Sequence, residues 1–109
     1  MRDRVDLVFA ALADPSRRFV LETLATRGSA TPTELAGELP VTRQAGTKHL
    51  VSLRTAGLVR SQRHGREHRF ELDPSPLEDA AEWIALVGDQ WDARLEALAR
   101  HLDARGGRA

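Results

Sequence analysis

Along the first half of the chain, apolar residues recur at the three- and four-residue steps of a single helix face. Val5, Val8, Phe9 and Leu12 predict an amphipathic helix over residues 3–13. Asp14-Pro15 ends it, because the residue before a proline is pushed out of helical backbone. Asp14 is placed to cap a second helix, with Pro15 in the first turn, where its missing N–H does no harm. Val20, Leu21, Leu24 and Ala25 make that helix's buried stripe, and Arg27-Gly28-Ser29 closes it. Thr31-Pro32-Thr33-Glu34 joins a Thr cap, a proline and a Glu at the capping-box position. It starts a short third helix carrying Leu35, Ala36 and Leu39, which Pro40 stops. A fourth helix follows at about residues 42–56, capped by Thr42 and closed by Gly57. Its Ala45, His49, Leu50 and Leu53 fall on one side, and Gln44, Thr47, Lys48 and Val51 on the other.

The pattern then changes period. Leu58 to Arg63 and Glu67 to Leu72 are strand-like runs around His64-Gly65-Arg66, which predicts a β-hairpin at about residues 58–72 with glycine at its turn. Helical spacing returns after Ser75-Pro76-Leu77-Glu78, a possible capping box. Ile84, Val87, Trp91, Leu95, Leu98 and Leu102 step by three, four, four, three and four, a heptad-like seam on a helix of about residues 76–102. Unbroken, that helix is ~40 Å long at 1.5 Å per residue, more than a domain of this size covers alone. Trp83 and Trp91 need burial, so the stripe is expected to pack on a second copy as well as on the first helix. The alternative is a break at Gly88, with both pieces folding back on the core. Ala104 to Ala109 are expected to fray.

Composition sets bounds on this picture. A chain of 109 residues, 41% hydrophobic, forms one domain with a modest core. Without cysteine there is no disulfide, thiolate ligand or Cys nucleophile. No secretory cleavage pattern and no run of 18 apolar residues is present, so a cytoplasmic protein with no membrane partner is expected. The formal net charge of zero conceals an asymmetry. From Thr42 to Arg69 seven cations face Glu67 alone, a net of +6, whereas Phe70 to Ala104 carries −7. Arginine outnumbers lysine fifteen to one, so its abundance says little and its clustering carries the weight.

The outer face of the fourth helix carries a cation, an amide and a hydroxyl but no acid. Behind it comes a hairpin bearing Arg60, Arg63, Arg66 and Arg69. Two helices about three residues apart and then a basic hairpin make a helix-turn-helix with a wing, the chemistry of a helix laid against nucleic acid. An ordinary solvated face and a basic hairpin without a partner are the plainer readings. Arg17 and Arg18, at the wrong end of the second helix for its dipole, are expected to be solvated rather than phosphate contacts. His49 faces the inner side of its helix, where a core or edge hydrogen bond is expected; His64 and His68 lie on the hairpin. No His stands with a Ser and an acid, and there is no glycine-rich phosphate loop or paired-carboxylate motif, so an enzyme is not expected.

Taken together, LADPSRRFVLETL, TPTELAGELPVTRQAGTKHLVSLRTAGLV and RHGREHRFELDPSPL resemble the ArsR/SmtB family of bacterial winged-helix repressors over nearly the whole chain. The resemblance rests on Arg43-Gln44-Ala45, Lys48-His49-Leu50, Leu53, Ala56-Gly57-Leu58-Val59 and the Gly65-Arg66 turn. It implies a mainly α fold with a small β-hairpin, in the order α-α-α-α-β-β-α, as a homodimer paired through its first and last helices. That dimer would bind double-stranded DNA at an inverted-repeat operator and repress transcription. The DNA-contacting set is Thr42, Arg43, Gln44, Thr47, Lys48, Arg63, His64 and Arg66. Gln44, Thr47 and Lys48 face the major groove, while Arg43, Arg63 and Arg66 hold backbone. The dimerisation set is Val5, Phe9, Ile84, Val87, Trp91, Leu95 and Leu98.

Many family members bind an inducing metal through a Cys-x-Cys pair on the third helix, or through His and carboxylates on the last. Here the third helix reads Glu34-Leu35-Ala36-Gly37-Glu38, and the last has only His101 with Asp89, Asp92, Glu96 and Asp103. Asp92 and His101 from two chains fall short of the three or four ligands a zinc site takes, so no metal and no cofactor is expected. Gly46 stands where the resemblance implies a branched apolar residue; close packing is the expected reason, and a small void that loosens the helix is the alternative. Pro40 replaces the common turn glycine, which requires negative φ there. Two other functions fit the pattern: a winged-helix module that meets an acidic protein, and a regulator whose small-molecule effector sits between the Trp-bearing last helices.

Overall fold

The computed structural model describes residues 2–106. The elements run α1 (Arg2–Leu12), α2 (Pro15–Arg27), α3 (Pro32–Glu38), α4 (Arg43–Thr55), β1 (Val59–His64), β2 (Glu67–Leu72) and α5 (Ser75–Gly106). This is the expected order of five helices and one antiparallel hairpin.

The core is built where apolar faces of α1 to α4 and the base of the hairpin converge. Val8, Val20, Leu24, Leu35, Leu50, Leu53 and Leu58 are fully buried, with Val59 and Phe70 nearly so. Each such side chain contributes about 1.5–3 kcal/mol. Ala25, assigned to the buried stripe of α2, is exposed, because that stripe needs only Val20, Leu21 and Leu24 to meet its neighbours.

The caps explain where the helices stop. Asp14 accepts the Ser16 N–H at 2.8 Å and starts α2. Thr31 and Glu34 exchange both bonds of a capping box at the start of α3, at 2.9 and 3.1 Å. At the other end of α4, Gly57 has φ +77° and its N–H meets Arg54 O, while Leu58 N–H reaches Leu53 O. That pairing needs a left-handed residue, which is why glycine follows Ala56.

Arg17 and Arg18 are not a solvated pair. Arg17 donates to Ala11 O at 2.7 Å and to Ala10 O at 3.1 Å, and Arg18 donates to Leu12 O. They sit at the wrong end of α2 because they belong to the right end of α1, whose last carbonyls have no partner of their own and carry the negative pole.

The hairpin pairs Val59 with Leu72 at its base and His64 with Glu67 at its tip. Ala30 and Phe70 form an isolated bridge, with N–H···O distances of 3.0 and 2.9 Å, that fastens the base of β2 to the chain entering α3.

The last helix is continuous through Gly88, so the break considered from the sequence does not occur. It also runs on through residues 104–106, where fraying was expected; residues 107–109 lie outside the described residues. Its start is held by Asp73, which accepts the Ser75 N–H at 3.1 Å and the Ser75 hydroxyl at 2.8 Å. Ser75 is therefore a donor inside the first turn and not the cap of a box with Glu78. Phe9 on α1 meets Trp83 edge to face at 5.5 Å, and Arg4 reaches Asp79 at 3.2 Å. Beyond Ala80, every residue of α5 as far as Arg105 is exposed. The molecule is consequently 74 Å long with a radius of gyration of 20.3 Å, against the ~13 Å of a compact chain of this length.

Candidate nucleic-acid interface

The turn after α3 sets α4 on the surface with one face in the core. Gly46, Leu50 and Leu53 are buried, Ala45 and His49 are half-buried, and Arg43, Gln44, Thr47, Lys48 and Val51 are exposed, as the periodicity predicted. Among the described residues no acid stands in the first turn of α4, so the positive end of the helix and the Arg43 guanidinium reinforce each other.

The polar groups of this face are not equally free. Thr42 accepts the Ala45 N–H at 3.0 Å, so its oxygen serves the cap. Thr47 donates its hydroxyl to Arg43 O at 2.9 Å, which leaves it a methyl group and an accepting lone pair to offer. The side chains of Arg43, Gln44 and Lys48 have no hydrogen-bond or ion-pair partner among the described residues and keep all their donors.

The hairpin arginines divide in the same way. Arg60 pairs with Glu71 at 3.5 Å, and Arg69 is held by Glu34 and Glu67. Arg63 and Arg66, near the tip, are exposed and unpaired among the described residues, and His64 Nε2 lies 3.1 Å from Gln62 Oε1. Between the tip and the helices lies an open cleft of about 600 Å³, bounded by Thr33, Arg43, Thr47, Arg66 and His68 and by two carboxylates, Glu34 and Glu67, that are paired with Arg69. The site thus has the acid-free face of α4 on one side of a cleft and the free Arg66 guanidinium on the other, while Glu34 and Glu67 on its wall are balanced by Arg69.

Three carboxyls around this framework are held below their ordinary range, each chiefly by N–H donors at a helix start. The Ser16 N–H does this for Asp14, helped by Arg17 and His49; Thr31 does it for Glu34; Ser75 does it for Asp73. His49, half-buried on the inner side of α4, acts at a distance on Asp14 and makes no hydrogen bond of its own among the described residues.

Gly46 is buried but not crowded. A Cβ placed there would meet only Val41 Cγ2, at 3.8 Å, an ordinary contact. Close packing, the expected reason for the glycine, does not hold.

Of the residues assigned to dimerisation, Val5 is buried inside the protomer and Phe9 is half-buried on Trp83. Ile84, Val87, Trp91, Leu95 and Leu98 are 42–59% exposed along α5, together with Leu102. Leu7, Phe19 and Leu86 are further exposed apolar groups that the sequence pattern did not single out. Leu7 stands off the Val5-Val8-Leu12 stripe, the one sign available beforehand. No group of three or more His, Cys, Asp or Glu side chains converges among the described residues, and no helix is long and apolar enough to cross a membrane.

Comparison with known proteins agrees with this geometry. A family model described as a helix-turn-helix domain matches residues 12–62. The chain is 38% identical over 104 residues to the HTH-type transcriptional regulator Rv2034 of Mycobacterium tuberculosis, covering 93% of this chain and 91% of that protein. An ArsR-like transcriptional regulator from Rhodococcus sp. RHA1 superposes with a TM-score of 0.79 at 38% identity, covering 89% of this chain and 91% of that one. The homodimeric winged helix-turn-helix DNA-binding domain of Mb0332 from Mycobacterium bovis superposes with a TM-score of 0.62 at 29% identity, covering 83% and 80%. With this likeness extending over the helices, the hairpin and part of α5, the chain belongs to the ArsR family of transcriptional regulators and carries its winged helix-turn-helix DNA-binding domain.

Proposed function

We propose that the protein is a homodimeric repressor that binds an inverted-repeat operator in the cytoplasm. The observation that carries this reading is the division of cations between α4 and the hairpin: Arg43, Lys48, Arg63 and Arg66 are left free of ion pairs among the described residues, while Arg60 and Arg69 are neutralised by acids. A field built for a polyanion is focused on one side of the molecule in spite of zero net charge. Gln44 and Lys48, with the methyl group of Thr47, read base edges in the major groove. Arg43, Arg63 and Arg66 hold the flanking backbone, with His64 and the Thr42 end of α4 beside them.

The bare stripe of α5 supports self-association, and the homodimeric state of the Mycobacterium bovis neighbour agrees with it. Two α4 helices related by a two-fold axis read half-sites about one DNA turn apart, and a dimer seated on a promoter excludes other proteins from the same DNA. The reading assigns the chain no enzymatic step, metal or cofactor.

Selection of bound sequences from a random DNA pool tests it. The expected product is an inverted repeat with half-site centres one turn apart. Equal affinity for the selected and for scrambled duplexes at physiological salt overturns the reading, and a single unpaired half-site overturns its dimeric part.

A further inference from the structure

Arg69 belongs to the basic hairpin, yet it is held unlike Arg63 and Arg66. Its Nε donates to Ser29 Oγ at 3.1 Å, Nη2 meets Glu34 Oε1 at 3.0 Å, and Nη1 meets Glu67 Oε2 at 3.1 Å. All three nitrogens face protein acceptors, and two carboxylates balance one charge. Glu34 is itself fixed from several directions. Its Oε1 also accepts the Thr31 N–H at 2.9 Å, and its Oε2 lies 3.3 Å from Arg27 Nη2, while the other end of that guanidinium reaches Glu38.

The position of this cluster matters as much as its bonds. The Ala30–Phe70 bridge and the Arg54–Ser61 hydrogen bond tie the hairpin to the domain at one level, since Ser61 faces Phe70 across the strands. Among the described residues, the side-chain bonds that tie the hairpin to the helices beyond that level, toward the tip, come from Arg69. Arg66 lies four residues past Phe70, about 13 Å at 3.3 Å per residue. A tilt of roughly ten degrees about Phe70 therefore moves the tip by about 2 Å, enough to take a guanidinium out of hydrogen-bond reach.

Resting on the reading of this hairpin as a DNA-holding wing, we propose that Arg69 and Glu34 form a positioning pair that sets the tilt of the wing against α3 and α4. Arg69 serves DNA affinity through that geometry and not by touching phosphate.

The test uses the full chain, a duplex enriched by the wild-type protein from a random pool, and a scrambled duplex, with binding followed across a salt series. Phosphate contacts reveal themselves in the slope of log affinity against log salt, by about 0.9 per contact, whereas a positioning residue changes affinity without changing slope. Arg69→Gln and Glu34→Gln are each expected to weaken binding to the enriched duplex about tenfold at unchanged slope, and the double variant to be no weaker than the worse single one. Arg69→Lys, which restores the charge but not the three-pronged grip, is expected to stay weak. Arg66→Ala, by contrast, lowers the slope by about 0.9 per protomer.

A slope loss for Arg69→Gln matching that of Arg66→Ala, full rescue by Lys, unchanged affinity, or additive losses in the double variant would each overturn the proposal. Where Arg69→Gln melts the fold, Glu34→Gln carries the comparison, since its amide oxygen still accepts the Thr31 N–H. An Arg66→Ala variant with unaltered slope overturns the wing reading itself, and the proposal with it, so the two failures are told apart.

Discussion

Reading and holding separate at the level of single side chains. In the proposed reading, Gln44 presents an amide able to make paired hydrogen bonds to a base edge, whereas Arg66 offers charge to the backbone. Gln44→Ala is therefore expected to relax discrimination by about 1–3 kcal/mol at one base position with little change in salt slope, and Arg66→Ala to weaken all sequences alike; competition binding with single-base variants of the selected site separates them. Gly46 gives a prediction of opposite sign. With room for a methyl group and ordinary helical backbone, Gly46→Ala is expected to stabilise the protein by about 1 kcal/mol and raise the melting temperature by several degrees. A fall in melting temperature would show that the helix needs the glycine after all. The three depressed carboxyls add a pH dependence. Groups that titrate lower when folded stabilise the protein above their ordinary range, and that stability drains away as pH falls below about 4. Asp14→Asn keeps a capping oxygen but cannot titrate, so urea midpoints measured between pH 5 and 3 are expected to fall less steeply for it than for the wild type.

Whole elements were legible wherever a local rule names them. Asp14, Thr31 and Thr42 start α2, α3 and α4 as their sequence contexts dictate, and Gly57 ends α4. What escaped was non-local. Nothing in the sequence pairs Arg69 with Glu34 or directs Arg17 to Ala11, because each contact depends on how two elements pack. Ser75 misled for a different, local reason, since Asp73, two residues earlier, outcompeted it for the role of acceptor at the start of α5. The stripe on α5 advances eighteen residues over five steps from Ile84 to Leu102, an average of 3.6, the pitch of a straight helix; a supercoil calls for 3.5. Two such helices are expected to cross as straight rods. Leu95→Glu, which sets a carboxylate in the middle of the stripe, is expected to convert a dimer into monomers by sedimentation, at a cost of about 3 kcal/mol or more per interface. The far-UV spectrum of α1 to α4 is expected to survive.

At the scale of the whole molecule, charge and shape act together. A formal charge of zero argues for weak DNA binding only if charge is spread evenly, which it is not. With three backbone-holding cations, Arg43, Arg63 and Arg66, proposed in each of two protomers, the salt slope is expected to approach about −5. A slope near zero, measured by anisotropy between 50 and 300 mM salt, would mean that the cleft does not meet phosphate. The outer two dozen residues of α5 have a further consequence, which concerns lifetime. Beyond Trp83 a lone protomer holds this rod exposed to water, and an unsupported helix opens readily to proteases. Pairing protects it by mass action. Newly made chains below the pairing concentration are then expected to be cleared quickly and those above it to persist, so that the amount of this regulator responds to its rate of synthesis more steeply than in proportion; a pulse-chase at two expression levels checks it.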